Sequence, residues 1–238
     1  SRGVAYRADE LGAVAAVSVD SGQTLWVRRM PVEAGASPRD TPHSWEVDRP
    51  IVDDDSIVLI APDQRRIVRL DARSGAVLAE RQASQFGTPG PNYLIRVGEQ
   101  LAAVSANRVA FTPLAAFDTA PVRLTPQIED PGIWGRVSAV GDKLLTPLVR
   151  GLAIIDPAAP DAEPLMQPLD KPGTVLAVGS QLLVVDDSQA HSYLQWTVAE
   201  SILHDRMTAD PADPTPAVTF AELAYRAGKF DRIVGATD

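Results

Sequence analysis

The chain contains no cysteine, so it can build no disulfide framework and offers no thiolate as nucleophile or metal ligand. Its three histidines, His43, His191 and His204, stand far apart, without the spacing of a paired metal site. No Gly-x-Ser-x-Gly elbow, phosphate-binding glycine loop or dinucleotide fingerprint occurs, which leaves nucleophilic and nucleotide-dependent chemistry without a residue to rest on. No uninterrupted apolar run approaches the roughly 18 residues of a membrane helix, so direct membrane insertion is not expected. Lys and Arg are outnumbered 22 to 31 by Asp and Glu, the net charge is −9, and no basic cluster offsets it. Nucleic acid, whose phosphates would be repelled, is excluded as a partner. Neither an initiator Met nor an apolar leader opens the sequence, and the expectation is a fragment or processed piece whose upstream segment is missing.

What is present is ordinary globular composition, 45% hydrophobic and 22% charged, over 238 residues, enough for a sizeable core. Twenty prolines, with abundant Ala, Arg and Asp, suggest a GC-rich bacterial source. The informative feature is a repeat, clearest in residues 50–80. A polar turn, Asp53-Asp54-Asp55-Ser56, leads into the apolar β-branched run Ile57-Val58-Leu59-Ile60, which reads as a buried strand. A turn at Ala61–Gln64 leads to a second strand, Arg66–Asp71, whose alternation predicts two faces in different environments. Gly75, free to take positive φ, then turns the chain into a third strand, Ala76–Glu80.

The starter Val52-Asp-Asp-Asp-Ser-Ile recurs as Val97-Gly98-Glu99-Gln100-Leu101, Val140-Gly141-Asp142-Lys143-Leu144 and Val178-Gly179-Ser180-Gln181-Leu182. The successive intervals are 45, 43 and 38 residues. A period of roughly 40–50 residues built from short antiparallel strands predicts β-propeller blades. A partial copy, Gly3–Met30, precedes the clearest one. The expected class is mostly β. It comprises four to five four-stranded antiparallel meanders, part of a small ring or of a seven- or eight-bladed one, followed by a C-terminal helical hairpin. Blades are assigned to residues 1–190 and the hairpin to 191–238.

The partial copy ends in Ala16-Val-Ser-Val-Asp-Ser-Gly22-Gln-Thr-Leu-Trp26, which resembles the repeat of pyrroloquinoline-quinone-type propellers, Ala-x-Asp-x-x-Thr-Gly-Lys-x-x-Trp. Ala16, Gly22 and Trp26 match and Ser21 stands for Thr, while Ser18 and Gln23 replace the Asp and Lys. In the clearest copy Asp71 and Gly75 match with Ser74 for Thr, but Arg69 and Ala79 depart. The resemblance spans residues 3–190. It implies that Trp26 docks blade to blade, and it extends to the WD40-like, cofactor-free propellers of bacterial outer-membrane assembly lipoproteins. A periplasmic or cell-envelope location is what it would imply.

From Ser192 the periodicity turns helical: Leu194, Val198, Ile202, Leu203 and Met207, then Phe220, Leu223, Ala224, Ala227 and Phe230, separated by Asp210-Pro-Ala-Asp-Pro214. Phe220-Ala221, Ala224, Gly228 and Phe230 resemble the spacing of a tetratricopeptide repeat, with Ala199 and Leu203 fitting the helix before. Arg206 and Ile233 depart from the small residues of that pattern.

No catalytic, cofactor-binding or metal-binding residue is singled out, and no cofactor is expected. Asp53-Asp54-Asp55 reads as a solvated turn rather than a calcium site, because three successive residues cannot all face one ion; Asp186-Asp187 reads the same way. The candidate partner-binding residues are two tryptophans on loops, where exposed aromatics anchor partners. Trp45 lies in the long stretch between Met30 and Pro50 beside His43 and Arg49, and Trp134 lies between Gly132 and Gly135. Packing at a blade edge is the alternative for both. The functional expectation is a non-catalytic scaffold binding another protein. The alternatives are a remnant of a quinone-dependent dehydrogenase, or carbohydrate or small-ligand binding at the propeller mouth.

Overall fold

The computed structural model describes residues 3–9, 12–31, 49–62, 64–88, 90–129, 132–149, 151–169, 171–179, 181–186 and 188–234. They form two compact units, Ser1–Val175 and Leu176–Asp238.

The first unit is a series of antiparallel meanders. The first sheet is β1 (Val4–Ala8), β2 (Ala13–Ser18) and β3 (Thr24–Arg29). The second is β4 (Ile51–Asp53), β5 (Ser56–Ile60), β6 (Arg66–Asp71) and β7 (Val77–Gln82). The third is β8 (Tyr93–Val97), β9 (Gln100–Val104), β10 (Val109–Pro113) and β11 (Arg123–Leu124). The fourth is β12 (Ser138–Val140), β13 (Lys143–Leu148), β14 (Gly151–Ile155) and β15 (Leu165–Gln167). A three-stranded fifth sheet, β16 (Thr174–Val178), β17 (Gln181–Val185) and β18 (Ala190–Leu194), lies mostly in the second unit.

Strand alternation makes the sheets stack in sequence order. On β5 and β6, Ile57, Leu59, Val68 and Leu70 face Val14, Tyr6 and Trp26 of the first sheet, whereas Val58, Ile60 and Ile67 face Leu94, Leu101, Ala103 and Ala110 of the third. The third sheet turns Tyr93, Ala102, Val104, Val109 and Phe111 toward Leu144 and Ile155 of the fourth. All five residues of β5 are therefore buried, and each buried aliphatic contributes about 1.5–3 kcal/mol. The alternation expected to expose one face of β6 is instead sandwiched. Its one charged interior residue, Arg69, is satisfied by ion pairing rather than by water.

The repeat is structural as well as sequential. Gly22 and Gly75 both take left-handed backbone, φ +68 and +69, and each amide donates to the residue four before it, Ser18 or Asp71. The β2–β3 and β6–β7 pairings carry a bulge at the same place, after Ala16 and after Arg69. In the second to fifth sheets the first-to-second-strand turns are two residues long, and their first residue has positive φ: Asp54 (+44), Gly98 (+56), Gly141 (+58) and Gly179 (+59). Asp53 pairs with Ser56 as Val97 pairs with Gln100 and Val140 with Lys143. The structural counterpart of the recurring valine is thus Asp53, one residue beyond the Val52 that sequence pattern suggests.

The second unit contains helices α1 (Trp196–Ala209), α2 (Thr215–Arg226) and α3 (Phe230–Val234). Pro216 in the first turn of α2 suits its fixed φ and missing amide. Leu203, Phe220 and Ala224 are buried together, with Trp196 and Met207 against them and the Trp196 and Phe220 rings 5.6 Å apart. Phe230 does not extend the buried face of α2. Gly228 takes φ +66, α2 stops at Arg226, and Phe230 opens α3 with 58% exposure.

Candidate interaction surface

The residues with candidate roles separate once they are placed in space. The aspartate triplet diverges. Asp53 is 12% exposed and its two carboxylate oxygens accept from Arg69 Nη2 (3.4 Å) and Arg96 Nη1 (3.2 Å). Arg69 also donates to Ser56 Oγ and to the Leu114 carbonyl, and Arg96 to the Gly98 carbonyl and Glu99. Asp53 therefore ties the second sheet to the third, which a solvated turn residue would not do. Asp54 is exposed, and Asp55 pairs with Arg73 at the surface, so the three carboxylates do not converge. Asp186 accepts from the Ser188 and Gln189 amides and the Ser188 hydroxyl, closing the turn between β17 and β18. Asp187 lies outside the described residues, as do His43 and Trp45.

Trp26 lies between two sheets. Its Nε1 donates to the Ala72 carbonyl at 3.0 Å, its ring centroid is 6.1 Å from that of Tyr6, and Tyr6 Oη donates to the same carbonyl. A Cβ on Gly75 would stand 2.7 Å from Trp26 Cε3, so the turn has room only for glycine beneath the indole. Trp196 belongs to the helical core.

Trp134 is different, with 42% exposure and a backbone fixed on every side. Ile133 and Trp134 donate their amides to the carbonyls of Ala106 and Pro147, both at 2.8 Å, and Val137 donates to Tyr93 Oη at 3.0 Å. The Arg136 guanidinium sits 5.2 Å from the Tyr93 ring centre. The glycines on either side explain how the segment comes so close: a Cβ at Gly132 would meet the Ala106 oxygen at 2.5 Å, and one at Gly135 the Gly173 carbonyl at 3.0 Å. Both have left-handed φ, +80 and +97, where a side chain would also be strained. Glycine spacing around Trp134 is visible in the sequence; that the spacing serves close approach is not. The strand order places this segment at the end of the sheets that also carries the β9–β10 and β13–β14 turns.

At the opposite end, Lys143 donates to Asp156 at 2.8 Å beside a groove of about 230 Å³ lined by Ile154, Glu163 and Leu165 among others. That volume is below the roughly 300–1,000 Å³ of small-molecule pockets. The lysine's hydrogen bond holds the Asp156 carboxyl below its usual range, and the same bond raises Lys143. Sequence reasoning passed over this pair and Arg69–Asp53–Arg96 alike, because their members are 13 to 43 residues apart. Among the described residues no three His, Asp or Glu side chains assemble into a metal-ligand set.

No family model matches the chain, and no curated protein matches it. Solved structures do. BamB from Moraxella catarrhalis superposes with a TM-score of 0.56 at 16% identity, covering 82% of this chain and 59% of that one. The β-propeller domain of Cps50 (Swd1) from Myceliophteria thermophila gives 0.57 at 12% identity, covering 81% and 62%, and Hsv2 from Kluyveromyces lactis gives 0.54 at 12%, covering 82% and 59%. The sheets are propeller blades. The chain is mostly β, blades followed by a helical segment, and spans about six-tenths of the length of these structures. At such identities the similarity carries the fold alone.

Proposed function

We propose that the chain is a non-catalytic blade scaffold that holds another protein, with Trp134 as an anchor on the contact surface. The observation carrying this reading is the pairing of a half-exposed indole with a backbone immobilised by two close-approach glycines and three backbone amide bonds. Such an anchor gives up little conformational freedom on binding, so most of its apolar burial is realised as affinity. Trp45, by its place in the sequence, supplies a second anchor from the loop ahead of the second blade. The first two blades carry a pyrroloquinoline-quinone-like repeat, and the helices that follow β18 are a tetratricopeptide-like segment.

The test replaces Trp134 with a photoreactive aromatic amino acid in the native host. One dominant crosslinked protein is expected; with that protein purified, Trp134→Ala weakens binding at least tenfold and leaves the melting temperature unchanged. An affinity untouched by Trp134→Ala removes the reading.

A further inference from the structure

The second, third and fourth sheets each have a fourth strand, β7, β11 and β15, laid against their third. The fifth sheet ends at its third strand, β18, and the chain leaves for α1 two residues later. The phase of the β17–β18 ladder shows what this leaves open. The Asp186 amide donates to the Gln189 carbonyl, which makes that pair a hydrogen-bonded one, and alternation then directs the backbone groups of His191 and Tyr193 toward β17. The N–H and C=O groups of Ala190, Ser192 and Leu194 point the other way, and none of them is hydrogen-bonded there among the described residues.

Two further features mark this edge. It carries none of the devices that keep edges unpaired: β7 has Glu80 and Arg81, β11 has Arg123 and β15 is only three residues long, whereas β18, Ala-His-Ser-Tyr-Leu, is five residues long and has no Asp, Glu, Lys, Arg or Pro. The sheet face beside it is aliphatic. Leu183 and Val185 share a face with Ser192 and Ala190, and Leu176 and Val178 on β16 are 46% and 58% exposed. The corresponding residues of β5, Val58 and Ile60, are buried.

We propose that the outer edge of β18 binds an extended segment of a partner polypeptide with alternating apolar side chains, which pairs antiparallel as the missing fourth strand. Main-chain bonds to Ala190, Ser192 and Leu194 supply the affinity, and the aliphatic face around Leu183 selects the side chains. The inference deepens the scaffold reading and rests on it for the ligand being a polypeptide.

The probe is a fluorescein-labelled peptide of the sequence Thr-Val-Thr-Val-Thr-Val-Thr, extended and apolar at alternate positions, added to the full chain. Saturable binding is expected, with Ser192 and Leu194 amides exchanging at least tenfold more slowly in its presence. Ser192→Pro, which deletes an outward amide and no bond to β17, weakens binding roughly threefold to tenfold, as the loss of one backbone hydrogen bond should. Ser192→Ala leaves binding unchanged. The same peptide N-methylated at alternate amides, a change that cannot disturb the protein, fails to bind. Equal binding of the methylated peptide, no binding at all, or Ser192 and Leu194 amides already protected in the chain alone would each overturn the proposal. Because Trp134→Ala should not affect this peptide, the two readings fail separately: loss of the peptide result with crosslinking at 134 intact removes the β18 edge only.

Discussion

Asp53 offers the sharpest test of the blade-to-blade contacts. Replacing it with Ala removes the acceptor shared by Arg69 and Arg96, which are 19% and 37% exposed, and leaves two guanidinium groups adjoining at an inter-sheet site. Breaking one partner from a fully buried pair costs about 3–5 kcal/mol. Arg96 is partly hydrated, and both arginines keep other acceptors, Leu114 and Gly98 carbonyls among them. The expected loss is therefore about 2–3 kcal/mol. At 2–4 °C per kcal/mol for a domain of this size, the melting temperature falls by roughly 4–12 °C. Urea denaturation of the full chain measures the loss, and the double variant Asp53→Ala/Arg69→Met isolates the pair, with an expected coupling of about 1–2 kcal/mol. The loss should survive 0.5 M salt, by about the Debye argument, whereas an exposed pair such as Arg73–Asp55 should be silent in the same assay. An Asp53→Ala effect under about 0.5 kcal/mol, or a coupling near zero, would refute the clamp and return Asp53 to the status of a hydrated turn residue.

Two further predictions concern turns. Asp54 holds the left-handed position that glycine fills in the corresponding turns, so Asp54→Gly removes about 1 kcal/mol of backbone strain against roughly 0.5 kcal/mol of added unfolded-state entropy. A small net gain, near 0.5 kcal/mol, should appear as a higher urea midpoint with unchanged slope; a loss would show that the Asp54 side chain is needed. For pH, Asp71 is held below the ordinary carboxyl range by the Ser74 hydroxyl and amide, and Asp156 below the same range by Lys143. Carboxyls lowered on folding stabilise above the unfolded value and lose that contribution as pH falls through the folded one. Lys143 is raised above 10.5, so its contribution is full below 10.5 and is lost as pH rises beyond. The Lys143→Met variant should therefore flatten both the acid and the alkaline limb of the stability–pH curve, and unaltered limbs would show that the pair is broken in solution.

Much of the fold was legible in the chain. Runs such as Ile57–Ile60 and the recurring two-residue turns are local signals, and each fixed an element near its observed place; the helical spacing read from Ser192 starts too early, because residues 192–194 still belong to β18 and α1 begins at Trp196. Gly75 announced its turn because left-handed backbone is a property of the residue itself. The misjudged features share a non-local cause. Asp53 read as hydrated because its arginines lie 16 and 43 residues away, and β6 read as half-covered because the third sheet that buries it is distant in the sequence.

The sequence by itself determined the meander, its period and its punctuation, since strand alternation and turn chemistry act between near neighbours. Only the tertiary structure decided how each tryptophan is held. Trp26 and Trp134 both sit near glycines, but the Trp26 indole packs against the turn of the next blade, whereas Trp134 is 42% exposed on a backbone whose Ile133 and Trp134 amides donate to the Ala106 and Pro147 carbonyls. Burial of a side chain is a sum over atoms that the chain brings together from afar, and no local pattern contains that sum.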